Sequence, residues 1–424
     1  MFIPSSLVAV WFRGILSIAA LSLAFYLASL WYRELPQPAE LGTGVSHQLS
    51  RTPNESPSSS TLKRIYYWRP ALDLPSAILA GAIALSFLSL GGGQMSYWLL
   101  RRAGNDEPSS YRSDRQTRLR RPDGTELNIE EFGKYDGVAV ILTHGWGMDS
   151  TEWYYAKKEL MKEHRVVVWD LPGVGLSTKA RNNDYSIERF AHDLHAIVEW
   201  SGATSVVLVG HSIGGMILQT FSRLFPEHSA IAGIALVHTT YKNPLRTTRF
   251  GPAYTMIEKP IIVPLLYLTI ALSPLVWLMS VLSYLNGSTH RSTDKQSFSG
   301  NETRGQLDFT ARFVLVQSPR VLARGMLAML KFDESANLTK INYPTVVIPA
   351  ENDPVTLAVA SRVLSDSVPA AYSASIPLGK HQAQMEMSEA FLGALRAFIR
   401  YTVTSDASSR VLGAPAPRAT SITA

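Results

Sequence analysis

The residues best placed to do chemistry are Gly210-His211-Ser212-Ile213-Gly214. Before them, Val206 to Val209 is a β-branched apolar run, as expected of a strand buried on both faces, and after them Met216 to Phe221 reads as a helix. A serine at such a strand-to-helix turn is held in a strained conformation with its hydroxyl projecting clear of the sheet. Glycines two before and two after keep side chains out of the neighbouring strand and helix. The result is an exposed nucleophile at a helix N-terminus, where backbone N–H groups can hold negative charge. Given a base to take its proton, that hydroxyl attacks carbonyl carbon.

Such a serine needs partners and a scaffold to deliver them. Leu119–Arg121 and Glu126–Phe132 flank a Pro122-Asp123-Gly124-Thr125 turn and read as a hairpin. Val138–Leu142 is a buried strand that delivers Thr143-His144-Gly145-Trp146-Gly147 to a loop. Residues 151–163 look helical, Arg165–Trp169 is a strand ending at Asp170, and Ile187–Trp200 is an amphipathic helix. Ile231–Val237, Thr345–Pro349 and Ala374–Pro377 read as later strands, and Glu386–Tyr401 as a terminal helix. This alternation predicts an α/β protein whose parallel sheet is covered on both faces, with function at the carboxyl ends of the strands.

Three of these motifs together resemble the α/β-hydrolase family: His144-Gly145-Trp146-Gly147, Asp170-Leu171-Pro172-Gly173-Val174-Gly175-Leu176-Ser177, and the serine turn. The resemblance covers about residues 115–403. It implies the α/β-hydrolase fold, with a mostly parallel eight-stranded sheet, helices on both faces and a helical cap, and a triad in the order Ser, acid, His. The strand ending at Val237 runs into His238-Thr239-Thr240 without a carboxylate, so the acid falls after Ile348. Asp353, followed by Pro354, matches the family's acid position, with Glu351 as competitor. His381 is the base by position, and no other histidine follows Asp353. The resemblance also implies the backbone N–H groups of Trp146 and Ile213 as oxyanion donors. On this reading Ser212, Asp353 and His381 cleave carboxylic esters through an acyl-enzyme, with no cofactor and no metal. His144 and His211 are expected to brace loops, and Asp170 to belong to a structural turn. His192 and His195, at i and i+3, show no further metal ligand. Serine at the elbow disfavours the epoxide hydrolases and haloalkane dehalogenases of this fold, which use aspartate there.

The chain has 424 residues, which suits one large α/β domain with accessories. With no cysteine there is no disulfide, thiolate nucleophile or cysteine metal site. A net charge of +6 without aromatic-interleaved basic runs argues against a nucleic-acid partner. The basic residues lie instead beside apolar segments. Leu7–Tyr32 is apolar apart from small hydroxyls and Arg13, and Leu74–Leu100 is uncharged. Both carry tryptophan or tyrosine near their ends, and each is long enough for a hydrocarbon core of roughly 30 Å. The expectation is a membrane anchor over 1–104, with two transmembrane helices (7–32 and 74–100) joined by a polar loop at 43–62. Two crossings put Met1 and the catalytic part on one side. Arg101, Arg102, Arg112, Arg115, Arg118, Arg120 and Arg121 follow the second helix, against Arg33, Arg51, Lys63, Arg64 and Arg69 in the loop, so the positive-inside rule leans toward a cytoplasmic catalytic domain.

Residues 115–240 and 341–403 then form the hydrolase core, 241–340 a helical cap, and 404–424 a disordered tail. Within the cap, Pro260–Thr289 has no charge and by length alone passes for a third span. One crossing there would put Ser212 and His381 on opposite sides of the bilayer. The consistent expectation is a cap broken at Pro264 and Pro274, either dipping an apolar face into the lipid surface or forming an ordinary buried helix pair. Lys242, Arg246, Arg249 and Lys259 precede it, within reach of lipid phosphates. The expected partners are a lipophilic ester and the lipid bilayer itself. Acyl transfer by the same triad, or a catalytically silent membrane-tethered binding or scaffold protein, stand as alternatives.

Overall fold

The computed structural model describes residues 4–33, 74–134 and 137–409. The polar loop expected at 43–62, and the tail beyond 409, lie outside the described residues. Strands β1 (Gln116–Arg120) and β2 (Glu126–Gly133) make the expected hairpin, and β2 runs antiparallel to β4 (Arg165–Trp169). The remaining strands, β3 (Ala139–Thr143), β5 (Val206–His211), β6 (Ile231–Val237), β7 (Thr345–Ile348) and β8 (Ala371–Ser373), are parallel. The eight-stranded sheet has the order β1-β2-β4-β3-β5-β6-β7-β8. Its central strands are apolar along their whole length because both faces are covered. Phe190, Leu194, Ile217 and Phe221 pack on one side, and Trp153, Leu160, Phe391 and Phe398 on the other.

The last strand lies three residues before the expected Ala374–Pro377. Ala371, Tyr372 and Ser373 pair with Thr345, Val346 and Val347, while Ile376 makes only an isolated bridge to Ala350. Pro377 has no N–H for a ladder, whereas Tyr372 packs beside Phe398 and Tyr401. The terminal helix, Ser388–Ser409, outruns Tyr401, so 404–409 are helical where a disordered tail was expected.

Helices α1 (Pro4–Arg33) and α2 (Leu74–Leu100) lie side by side. Gly81 sits beside Leu27, and both Ser17 and Gly92 meet Asn286, so the two run antiparallel. Helix α3 (Ile213–Leu224) follows the serine turn. Between β6 and β7 stands the cap, opened by α4 (Gly251–Ala271) and α5 (Ser273–Leu285). Pro264 does not break α4: the helix widens into a π turn at Glu258–Ile262, which relieves the clash of the Pro264 ring with the carbonyl four residues earlier. Pro274 sits in the first turn of α5, where a missing N–H costs nothing. The uncharged stretch is therefore split at Leu272-Ser273.

Among the described residues, three helices are long and apolar enough to cross a membrane, Ala9–Arg33, Leu74–Leu100 and Gly251–Ala271; the third overlaps the start of the uncharged 260–289 stretch. The sheet constrains the third. Val237 of β6 pairs with Ile348 of β7, so the chain entering the cap and the chain leaving it share one side. With 13 residues, α5 is only about 20 Å long and too short to return across a bilayer.

The cap is docked directly on α1 and α2. Trp11 Nε1 donates to Thr269 Oγ1 at 3.1 Å, and Asn286 Nδ2 to Ser17 Oγ at 2.7 Å. Past the end of α2, Arg101 pairs with Glu302 at 2.7 Å and with Asp294. A Cβ on Gly92 would stand 2.4 Å from the Asn286 carbonyl oxygen. Gly92→Ala is therefore expected to cost about 1–3 kcal/mol by overpacking. Gly91→Ala, facing only the Phe87 ring of its own helix, is the matched control; thermal midpoints of the full chain in detergent should drop for the first substitution alone.

Candidate active site

Ser212 ends β5 and begins α3 with φ 56° and ψ −115°, a conformation that costs a non-glycine residue on the order of 1–3 kcal/mol. Its N–H donates to the Val237 carbonyl at 2.9 Å, and its carbonyl accepts from Thr239 Oγ1 at 2.6 Å and from the Gly215 N–H at 3.0 Å. The flanking glycines are required by contact rather than by φ. A Cβ on Gly210 would sit 2.4 Å from Gly214, and one on Gly214 would sit 2.4 Å from the Thr143 carbonyl oxygen. The second contact sets the 144–147 loop against the elbow, since Thr143 and Gly210 are register partners at the strand ends.

Trp146 in that loop is buried, donating Nε1–H to the Leu322 carbonyl at 3.0 Å. Its indole lies over Gly325, where a Cβ would fall 2.0 Å from the ring. Ile213 is the first residue of α3 and fully buried. Among the described residues, the backbone N–H groups of Trp146 and Ile213 have no hydrogen-bond acceptor.

Asp353 follows β7 and is buried. Its Oδ1 accepts from the N–H groups of Val355 at 2.7 Å and Thr356 at 3.2 Å, and its Oδ2 from Thr356 Oγ1 at 2.7 Å and His381 Nδ1 at 2.6 Å. The competitor Glu351 is exposed and holds Ser375 instead. Burial pushes the Asp353 carboxyl up, but attraction to the His381 ring in its protonated form and the hydrogen bonds from His381 and Thr356 outweigh it and hold the pKa below the ordinary carboxylate value. His381 is displaced downward, chiefly by its complete burial, with Asp353 opposing. It is therefore neutral at pH 7, its Nδ1–H on Asp353 and its buried Nε2 without a partner among the described residues. A neutral imidazole with a free Nε2 lone pair can accept a proton.

The sequence does not foretell what holds this arrangement together. Glu152 is buried, with His211 Nδ1 against its carboxylate, the Gly145 N–H donating at 2.7 Å and Gln384 Nε2 at 2.7 Å. His211 Nε2 in turn meets the His381 carbonyl oxygen at 3.0 Å. Burial raises the pKa of Glu152, but the charge and hydrogen bond of His211 override it and keep the carboxyl below its ordinary value. Glu152 carries no motif, and its only signal is an acidic residue early in a helix. His238, the residue where a carboxylate had been sought, is buried at φ 40° with its ring 6.4 Å from His381 and 5.7 Å from His211. Asp170 accepts from the N–H groups of Ser150 and Leu176 at 2.8 and 2.9 Å and pairs with Arg112 at 3.1 Å, as a structural turn requires.

A metal-ligand grouping does exist, away from these strand ends. The fold brings Glu199 and His228 to His195, with their ligand atoms within 4.8 Å of one another. The Ala230 N–H donates to His228 Nδ1 at 3.3 Å, which leaves the Nε2 proton pointing at Glu199 Oε1, 2.8 Å away, in place of a lone pair for a cation. His192 instead lies edge-on to Phe225.

A strained serine turn between strand and helix, a buried Asp–His pair and a glycine loop at the carboxyl edge of one mostly parallel sheet are features of a class of hydrolytic α/β proteins. The model of the alpha/beta hydrolase fold matches residues 138–387, and the chain belongs to the α/β-hydrolase family. A Variovorax paradoxus protein provisionally named a carbamate hydrolase is 25% identical over 285 residues, 64% of this chain and 96% of its own. The pimeloyl-[acyl-carrier protein] methyl ester esterase of Aeromonas hydrophila is 34% identical over 107 residues, 25% of this chain and 40% of that enzyme. In fold, the chain is similar to an esterase from Exiguobacterium antarcticum, with TM-score 0.54 and 19% identity, covering 68% of this chain and all of that one. Relatives of this chain are thus hydrolases and esterases.

Burial pushes His238 down to about 3. An unfolded chain takes up that proton near pH 6.5 while the folded site refuses it, so stability is complete above about pH 6.5 and is lost as pH falls toward 3. In urea titrations, His238→Asn should remove up to about 1.4 kcal/mol per pH unit from that acid slope.

Proposed function

We propose that the protein is a membrane-anchored serine hydrolase that cleaves lipophilic carboxylic esters through an acyl-enzyme on Ser212. The observation that carries this reading is the buried Asp353–His381 hydrogen bond of 2.6 Å, which leaves Nε2 of a neutral His381 free. Ser212 Oγ attacks the ester carbonyl and passes its proton to His381 Nε2. The tetrahedral oxyanion takes the N–H groups of Trp146 and Ile213, neither of which spends its hydrogen elsewhere in the described chain. His381 returns the proton to the leaving alcohol, and Asp353 stabilises the intervening imidazolium. Water, deprotonated by the same Nε2, then releases the acid and restores Ser212. Esterase relatives support the bond class.

The membrane reading rests on α1 and α2, whose Phe25, Tyr26, Phe87 and Trp98 are exposed, and on the cap docked against them, which exposes Tyr267, Leu268, Leu272, Trp277 and Leu278. Such a cap admits a lipophilic ester from the bilayer, with the catalytic domain on the cytoplasmic side.

A fluorophosphonate probe should label the full chain, and Ser212→Ala should abolish labelling and lower ester turnover by several powers of ten. A silent scaffold would not react at all. The kcat/KM for p-nitrophenyl butyrate should rise with pH through an ionisation below about 6.5, the ordinary histidine value, and be flat above it, because the base acts only when neutral. His381→Gln should lower kcat/KM by several powers of ten, and turnover that survives the substitution would remove His381 from the mechanism.

A further inference from the structure

Helix α1 carries one charge among its apolar residues before Arg33. The guanidinium of Arg13 donates to the Ser288 carbonyl at 3.1 Å, and among the described residues no carboxylate pairs with it. A cation retained on so apolar a helix calls for a counter-charge. Arg13 lines a partly open cavity of about 60 Å³ between α1, the cap helices and the 144–147 loop, whose wall also includes Gly147, Thr289, Gln317 and Leu322. That volume is several times the roughly 10–15 Å³ that admits a single water. Gln317 is 3% exposed, and among the described residues its Nε2 has no hydrogen-bond partner. The lining contains no acidic side chain. A guanidinium and an unspent amide N–H donor converge here with hydroxyls, and nothing in the wall answers them with negative charge.

We propose that this cavity receives an anionic oxygen group, a carboxylate or phosphate, belonging to the substrate itself. The esters cleaved at Ser212 are then acidic amphiphiles, and the first apolar helix recognises them as well as anchoring the enzyme. The inference rests on the hydrolase reading above. It is favoured by the position of the cavity: Gly147 in its wall directly follows Trp146, whose N–H is assigned to the oxyanion, so the cavity borders the loop set against the serine elbow. A bystander lipid headgroup offers the same chemistry, but it would occupy the cavity without competing with an ester.

The test follows p-nitrophenyl butyrate hydrolysis by the full chain in neutral maltoside detergent, with decyl phosphate or inorganic phosphate as inhibitor. Decyl phosphate should raise KM without lowering kcat, and inorganic phosphate should act at least tenfold more weakly. Arg13→Gln should raise the inhibition constant of decyl phosphate at least tenfold, with Arg13→Lys recovering part of the loss. Trp11→Phe, which alters a neighbouring α1–cap contact, should leave that constant within twofold. Inhibition that lowers kcat alone would mean a bystander site and overturn the proposal. So would equal inhibition of the Arg13→Gln form, equal potency of inorganic phosphate, or an equal loss in Trp11→Phe. Wild type that neither hydrolyses the ester nor takes the fluorophosphonate label defeats the hydrolase reading itself, and this is seen before any inhibitor is added.

Discussion

The carboxylate of Glu152 is the point at which three loops of the sheet's carboxyl edge meet. It accepts the Gly145 N–H from the loop after β3, holds the ring of His211 at the end of β5, and takes the Gln384 amide from the segment after His381. His211 carries the connection on to the His381 backbone. Removing one partner from a buried pair leaves a charge in a low-dielectric interior at a cost of several kcal/mol. These loops are thus not independent: the backbone that presents Trp146, the turn that presents Ser212 and the segment that presents His381 share one buried anion. The strained Ser212 backbone persists because contacts around it, through Val237, Thr239 and Gly215, over-determine it.

A second constraint is the continuity of the sheet across the cap. Because β6 and β7 are parallel neighbours, the roughly one hundred residues between them must leave the carboxyl edge at Val237 and come back to the amino edge of the same sheet at Thr345. Helix α4 meets α1 on the way, where Thr269 accepts from Trp11 Nε1. The cap and the two N-terminal helices are joined through glycine contacts at 92 and 93, side-chain bonds from Trp11 and Asn286, and the ion pairs of Arg101.

What the sequence makes legible here follows from period and composition. Buried parallel strands read as β-branched runs, the serine turn as two glycines around a serine, and the partner of His381 as a carboxylate beyond β7. Each is local, or ordered along the chain. The rest depends on distance in space. Glu152 and Gln384 lie more than two hundred residues apart and become partners only when the sheet closes, so no spacing announces them. The Ala374–Pro377 expectation erred because apolar character there serves a bridge and a turn, while the shorter Ala371–Ser373 run takes the ladder. Pro264 misled for a different reason: a proline ends a helix only if the backbone keeps its α pitch, and here it widens instead.

The close seating of Gly92 and Gly93 on the 284–286 turn bears on how the chain is made. A ribosome completes α1 and α2 well before α4 and α5, so the earlier pair must wait with its small-residue groove unfilled while almost two hundred further residues are synthesised. That groove can be filled only once the 284–286 turn exists.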